Sequence, residues 1–291
     1  MYMKKILLFA FMACSVLAFA QNAYEYYGDK VQLEAHYFQS RSMGKLQGDK
    51  KQAYQGMDIA EGYLASAQAT GILTIYKFDS DISKEKQLKL PNFGKTTNAY
   101  NLSFGTQKFN PEDALPLLYV SGNDGELNVV RFDKKFKNAE FVQTIKLADA
   151  KAGNIAWVID KDNQYLYAVV TNKSGLHQVM RFAIPNSTES TSVVTLNSSD
   201  AFNSYVIEDY YKGKTITSIG GTYVHNGQLF ITNGNGTAQN PSTLFVWDLY
   251  GKMMRNVIDL STATRGALKG CSVCDGAFYV QSTEGLYRLV F

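Results

Sequence analysis

One strand–turn–strand pattern occurs three times in the chain, in stretches that begin at Gly56, Gly221 and Gly270. Each copy has an apolar β-branched residue three positions after its first glycine, then an acidic residue or Asn, then a second glycine. The pairs Asn226-Gly227 and Asp275-Gly276 are typical of tight hairpins, because both central residues of such turns adopt positive φ. A strand unit repeated at blade-sized intervals predicts a β-propeller, a fold that carries many unrelated functions.

The same pattern divides the rest of the chain into blades of four antiparallel strands, rich in alternating Tyr, Val, Ile and Phe. In the third blade we predict the fourth strand at 192–196 and an elaborated loop at 198–214. The fifth blade lacks a fourth strand, and a strand at 30–38 is left unassigned. We therefore predict an all-β, five-bladed propeller closed by that N-terminal strand, since closure removes exposed strand edges. Six blades are the alternative, because the third and fourth blades lie unusually far apart in sequence.

Residues 1–20 have the pattern of a signal peptide, with Lys4 and Lys5, an apolar run over 6–17, and the small-x-small stretch 18–20. We predict cleavage after this segment, export to the periplasm or the extracellular space, and a single mature domain over 21–291. Lipoprotein cleavage at Cys14 is the alternative, but it would leave hydrophobic residues at the new N-terminus. The apolar run is too short for a comfortable membrane span, and we expect no transmembrane segment in the mature chain.

The charge of the mature chain limits its partners. Without Lys4 and Lys5, 27 of the 29 basic residues remain against 26 acidic residues, a formal charge of +1. This balance argues against nucleic acid, which requires a basic patch to neutralise phosphates. The three histidines, His36, His177 and His225, show no metal-ligand spacing. We predict a monomer with no cofactor and no metal.

Cys271 and Cys274 form a C-x-x-C pair inside the third copy of the repeat. Three interpretations stay open: two structural thiols, a local disulfide, or redox or metal chemistry. An extended strand separates residues three positions apart by about 10 Å, beyond disulfide reach unless the turn bends them together. No second C-x-x-C or His pair completes a zinc site. We favour two structural thiols.

Three stretches, at 55–59, 98–105 and 109–121, resemble a group of secreted bacterial proteins with no established activity. The whole mature chain also resembles propellers of the broad YVTN/quinoprotein-like type, on its repeat pattern. These resemblances imply an exported propeller and bring no catalytic residues with them. Related members often carry His where this chain has Asn98, so a metal or proton-transfer role at that position is in doubt here.

In a propeller, the innermost strands begin on the face that usually binds ligands. The polar residues near those starts are Gln55, Asp58, Asn98, Asn101, Asn154 and Thr217. The inserted 205–211 segment is predicted on the same face, and we add its residues Glu208, Asp209, Tyr210 and Tyr211 to the candidate ligand-binding set. Tyrosines beside carboxylates suit a carbohydrate or a cationic ligand. The structural alternatives are that the amides only bind channel water and loops, and that the segment only caps a blade.

The sequence favours an exported, non-catalytic propeller that binds a glycan, a peptide or a protein partner at its axial face. The first alternative is a glycan-active hydrolase or lyase, which would use carboxylates such as Asp58, Glu208 and Asp209 on that face. The second alternative is a scaffold subunit of a surface or periplasmic complex, whose partners contact the blade edges. No Gly-x-Ser-x-Gly nucleophile motif occurs, and no catalytic residue is assigned.

Overall fold

The computed structural model describes residues 32–39, 54–78, 82–94, 96–148, 155–171, 175–187, 192–261 and 263–290. The predicted signal peptide at 1–20 and the candidate residue Asn154 lie outside these ranges. Within them the regular elements are β-strands and one 3-10 turn at Ser198–Asp200, so the fold is all-β as predicted.

The strands are numbered in chain order and are described as five units of consecutive antiparallel strands. The third and fourth units are joined into one eight-stranded sheet, because Asp160 and Val224 form a parallel bridge between them. Strand β1 is Gln32–Gln39, and the first unit consists of β2 (Tyr54–Ala60), β3 (Tyr63–Gln68), β4 (Ile72–Phe78) and β5 (Ile82–Lys89). The second unit consists of β6 (Ala99–Phe104), β7 (Leu118–Gly122), β8 (Leu127–Phe132) and β9 (Ala139–Leu147).

The third unit begins with β10 (Ile155–Asp160), β11 (Tyr165–Thr171) and β12 (His177–Ala183), and it is followed by β13 (Ser192–Leu196) and β14 (Asn203–Ile207). A small hairpin, β15 (Tyr210–Tyr211) and β16 (Lys214–Thr215), leads into the fourth unit. That unit consists of β17 (Gly221–His225), β18 (Gln228–Asn233), β19 (Thr243–Asp248) and β20 (Met253–Asp259). The fifth unit contains β21 (Leu268–Cys274), β22 (Ala277–Ser282) and β23 (Gly285–Val290).

The hairpin turns predicted from the repeat are present. Asn226 and Gly227 have φ of 50° and 71°, and Asp275 and Gly276 have φ of 49° and 72°. Both central residues are therefore left-handed, as tight hairpin turns require. The turn at Glu61 and Gly62 has the same conformation, with φ of 47° and 75°.

The N-terminal strand completes the last unit. Strand β1 pairs antiparallel with β23, and Leu33 lies opposite Leu289 in this register. The fifth unit thus takes its fourth strand from the N-terminal part of the chain, as we predicted from the lack of a fourth strand in its own sequence. This pairing covers the edge of β23, with a register shift between Glu34 and Phe38.

The prediction for the third unit was wrong in one element. Strand β14, placed within the predicted loop, pairs antiparallel with β12 and is the fourth strand of the unit. Strand β13, predicted for that position, instead pairs parallel with β9 and extends the second unit to five strands. Strand β14 buries Ile207 completely, whereas Val193 of β13 is 64% exposed. The strand that buries more apolar surface takes the place beside β12.

Hydrophobic clusters lie between neighbouring units rather than within a single layer. One cluster joins the first and second units, and corresponding clusters join the second to the third, the third to the fourth and the fourth to the fifth. A further cluster joins the fifth unit to the first through Met57 and Leu286. The first strands of the units, β2, β6, β10, β17 and β21, contact one another in that cyclic order.

Candidate functional site

A cavity of about 350 Å³, lined by both polar and apolar residues, opens at the end of the molecule where the first strands of the units begin. Four of the five units contribute to its wall, and residues just before the first strand of the third unit lie outside the described ranges. The lining includes the predicted Gln55 and Asn98, together with Tyr100, Asn123, Gly220, Asn235 and Lys269. None of the described lining residues is Asp or Glu.

Matching irregularities in three first strands place side chains at this cavity. The pairing of β2 with β3 shifts register around Gln55, that of β6 with β7 around Tyr100, and that of β21 with β22 around Lys269. A β-bulge leaves one residue out of the ladder and re-aims its side chain, which is why bulges are frequent beside binding sites. All three bulged residues line the same cavity.

Among the described residues that line the cavity, Lys269 carries the cationic side chain. It was not among the site residues predicted from the sequence. It is partly buried and forms no hydrogen bond or ion pair with any described residue. Burial lowers the pKa of its ammonium group, because desolvation disfavours the charged form. The available signal was its position immediately before the repeat glycine Gly270, which is the position of Gln55 in the first copy.

Gln55 and Asn98 also present uncommitted side-chain amides. Neither amide group is hydrogen-bonded within the part of the chain that the structure describes. The backbone of Asn98 is held firmly, since its N–H donates to Asn123 Oδ1 at 2.8 Å and its carbonyl accepts from the N–H of Asn123 at 3.0 Å. The cavity therefore combines a rigid wall with amide donors and acceptors that remain available to a ligand.

Tyr100 closes one side of the cavity. Its hydroxyl donates to the carbonyl of Ile219, which lies just before β17 in the fourth unit. Burial raises the pKa of the Tyr100 phenol above its usual value, so this group is a neutral donor at any physiological pH. The contact ties the second unit to the fourth across the mouth of the cavity.

Asn101 does not line the cavity but lies deeper, with 1% exposure. Its Nδ2 donates to the carbonyl of Trp157 at 2.9 Å and to Thr222 Oγ1 at 3.0 Å, while its Oδ1 accepts from the N–H of Thr222 at 3.3 Å. These bonds connect β6 with β10 and β17. The side chain is therefore engaged in holding three first strands together.

Asp58 is likewise absent from the cavity wall, and it is fully buried. Its carboxylate accepts from the N–H groups of Ile59 and Phe104 at 2.7 and 2.6 Å and from Ser272 Oγ at 2.7 Å. Lys161 Nζ lies 2.7 Å from the same carboxylate. Asp58 therefore binds groups from four sheet units.

The predicted segment at 208–211 lies beside the fourth unit. The N–H of Ile216 donates to the carbonyl of Asp209 at 2.7 Å, which closes the small hairpin β15–β16. The hydroxyl of Tyr211 donates to the carbonyl of Arg255 in β20 at 2.9 Å. Glu208 and Tyr210 are exposed, and none of the four residues Glu208, Asp209, Tyr210 and Tyr211 lines the cavity.

A second cavity of about 480 Å³ lies at the other end, between the second and third units. Tyr165 and the 57% exposed Phe202 form part of its wall, and their rings meet edge to face at 5.9 Å. The guanidinium of Arg181 lies 4.5 Å from the centre of the Tyr165 ring. No residue of the predicted site is found in this wall.

The two cysteines face different clusters and are both free thiols. Cys271 is buried between the fourth and fifth units, and Cys274 packs partly buried against the first unit. Burial raises the pKa of both thiols, that of Cys274 to about 11. No group of three or more His, Cys, Asp and Glu in the described ranges is arranged to hold a metal ion.

No protein-family model and no curated protein matches the chain. Among solved structures, a glutaminyl cyclase from Myxococcus xanthus is similar with a TM-score of 0.57 and 12% identity, over 89% of this chain and 95% of that chain. A mitotic checkpoint complex has a TM-score of 0.38 at 11% identity over 84% of this chain and 65% of that one. The apo form of AztD from Citrobacter koseri has a TM-score of 0.34 at 11% identity over 71% of this chain and 46% of that one.

Of these three structures only the cyclase has a TM-score above 0.5, and at 12% sequence identity its similarity shows the fold alone. In the described part of the chain no helix is long and apolar enough to cross a membrane. The all-β architecture and the similarity to the cyclase structure together identify a propeller-like fold.

Proposed function

We propose that this chain is an exported five-bladed propeller that binds a polar ligand, a glycan or a peptide, in the cavity at its axis without catalysing a reaction. Five blades are supported by the cyclic contacts of the first strands and by the cluster that joins the fifth unit to the first. Export is supported by the signal-peptide pattern at 1–20.

The observation that carries the binding proposal is the set of three bulges. Gln55, Tyr100 and Lys269 come from different units. Each lies at a register shift between the first and second strands of its unit, and all three line the same cavity. A bulge costs ladder hydrogen bonds, so three coincident bulges favour a function for the side chains that they present. Concave sites with a few convergent polar groups are the usual places for small ligands.

The hydrolase alternative finds little support at this cavity. Glycoside hydrolysis by the common mechanisms uses two carboxyl groups about 5–9.5 Å apart. The described lining contains no carboxylate, and Asp58 is buried away from it with protein partners on both oxygens. A scaffold role is the second candidate, because outer strands expose the apolar side chains of Val193 and Val206, at 64% and 51%.

The test is a glycan and peptide array probed with the mature chain and two variants, Gln55→Ala and Asn98→Ala. We expect bound probes to lose at least about tenfold in affinity in each variant, while the melting temperature stays unchanged. Asn138→Ala is the matched control, since Asn138 is exposed in the turn between β8 and β9 at the far end of the molecule.

Three outcomes contradict the proposal. Binding that survives both cavity variants but is lost in Phe202→Ala would move the site to the opposite cavity. Product formed from any bound probe would make the protein an enzyme. An assembly that forms in solution through the outer strands, without any array binding, would favour the scaffold role.

A further inference from the structure

Among the described residues, the cavity wall carries one unpaired positive charge and no negative charge. Lys269 Nζ has no hydrogen-bond or ion-pair partner among the described residues, although the side chain is partly buried. An ammonium group taken out of water without a partner is costly, and buried charges in folded proteins are normally paired. Because Lys269 has no partner among the described residues, a bound ligand is the natural partner for its ammonium group.

The neighbours of Lys269 define what such a partner must look like. The amides of Gln55 and Asn98 offer both donors and acceptors, and the wall beside them is formed by backbone at Gly220 and Gly234. A ligand that fits these groups carries hydroxyl or amide groups next to its anionic group. The volume of about 350 Å³ lies at the small end of ligand cavities and suits one sugar ring or a dipeptide.

Charge balance favours a carboxylate over a phosphate. A phosphate ester carries about −1.5 to −2 charges near neutral pH and is usually bound by several cations or by Arg clusters. The described wall supplies a single ammonium and no arginine. One carboxylate of charge −1 matches that ammonium through a charge-assisted hydrogen bond.

We infer that the axial cavity binds the carboxylate of a small polar ligand, either the acid group of a uronic sugar or the C-terminus of a short peptide, through Lys269. This inference rests on the proposed ligand binding and adds the chemical class of the ligand. Lys269 anchors the carboxylate, and the amides of Gln55 and Asn98 bind the uncharged groups beside it. The lowered pKa of Lys269 agrees with this role, because a bound anion would restore the charged form.

The experiment is calorimetric titration of the mature chain with two matched pairs of probes. The methyl glycoside of galacturonic acid, which has one sugar ring and one carboxylate, is compared with its methyl ester, and alanyl-alanine is compared with its C-terminal amide. We expect the acid of one pair to bind at least about tenfold more tightly than its neutral partner, the difference that one charge-assisted bond provides. Which pair shows the difference identifies the source of the carboxylate. Raising the salt concentration should weaken binding of the acid and leave the neutral probe unaffected.

Variants assign the difference to Lys269. Lys269→Met should bring the affinity for the acid down to that for the neutral probe, and Lys269→Arg should retain part of the preference. Lys135→Met is the matched control, because Lys135 is exposed in the turn between β8 and β9, far from the cavity. The control should keep the full preference for the acid.

The outcomes separate this inference from the proposed function. Neutral probes that bind as tightly as the acids, with affinity lost in Gln55→Ala but not in Lys269→Met, would overturn the carboxylate assignment and leave ligand binding intact. Inorganic phosphate that displaces the acid at lower concentration than acetate would also overturn it. No binding of any of the four probes would overturn the carboxylate inference alone, whereas binding that neither Gln55→Ala nor Lys269→Met reduces would contradict both.

Discussion

Replacing Asp58 should destabilise the whole molecule, because its carboxylate connects the first strands at the axis. It accepts hydrogen bonds from the N–H groups of Ile59 and Phe104 and from Ser272 Oγ, at 2.6 to 2.7 Å, and it pairs with Lys161. Its side chain is fully buried, while that of Lys161 is 22% exposed. Asp58→Ala removes the acceptor and leaves the ammonium and the three buried donors without it.

The size of the effect follows from these contacts. Removing one partner of a buried ion pair costs about 3–5 kcal/mol, which already includes part of the penalty for the donors left behind. We therefore expect Asp58→Ala to lower the free energy of unfolding by about 4 kcal/mol and the melting temperature by about 8 °C or more. The loss should appear in one cooperative transition, because the carboxylate contacts four sheet units at once.

The measurement is urea unfolding followed by the fluorescence of the buried Trp157 and Trp247. Ser272→Ala is a milder variant that removes one bond to the carboxylate and should cost about 1–3 kcal/mol, so the reasoning can be tested if Asp58→Ala does not fold. Glu112→Ala is the control, since its ion pair with Lys134 is exposed and should contribute nothing measurable. A stability of Asp58→Ala within about 1 kcal/mol of the wild type would refute the proposed central role.

Three further predictions follow from strand pairing and from buried titratable groups. Deleting the chain up to residue 39 removes β1 and exposes the edge of β23. The truncated protein should therefore aggregate and unfold at a lower temperature, as measured by light scattering during heating. An unchanged melting temperature would contradict closure by β1. Burial lowers the pKa of His177, so the imidazole binds a proton more readily in the unfolded chain than in the folded protein. The free energy of unfolding should therefore fall as the pH drops below about 6.5. His177→Gln should reduce this pH dependence when stability is measured across the same range. With a pKa of about 11, only about one in a thousand Cys274 thiols is ionised at pH 8, so alkylation by iodoacetamide should be far slower in the native protein than in urea, and equal rates would contradict a structural thiol.

Local chemistry made much of the fold predictable. The Asn226-Gly227 and Asp275-Gly276 turns have the positive φ values that their residue types favour, and the strands on either side begin and end close to the predicted positions. The pairing of β1 with β23 was also predictable, because the last unit lacked a fourth strand and the N-terminal strand had no other assigned partner.

The third unit shows where such reasoning stops. Strands β13 and β14 are both short, and both contain β-branched residues, so their sequences do not say which one pairs with β12. The choice depends on the partner surface: Tyr205 of β14 stacks on Trp247 of the fourth unit, with ring centres 6.2 Å apart. That surface is formed by residues distant in sequence, so only the packed units decide between the two strands.

The residues of the candidate site were likewise predictable from the sequence only in part. The sequence by itself determined the strand pattern, the turns, and the end of the molecule where Gln55 and Asn98 would meet, because alternation and turn preferences act between neighbouring residues. Only the tertiary structure decided that Asp58 and Asn101 are engaged inside the protein, while the side chain of Lys269 at the cavity has no partner among the described residues. Whether a polar side chain is satisfied depends on donors and acceptors supplied by other sheet units, and that information exists only once the units have packed.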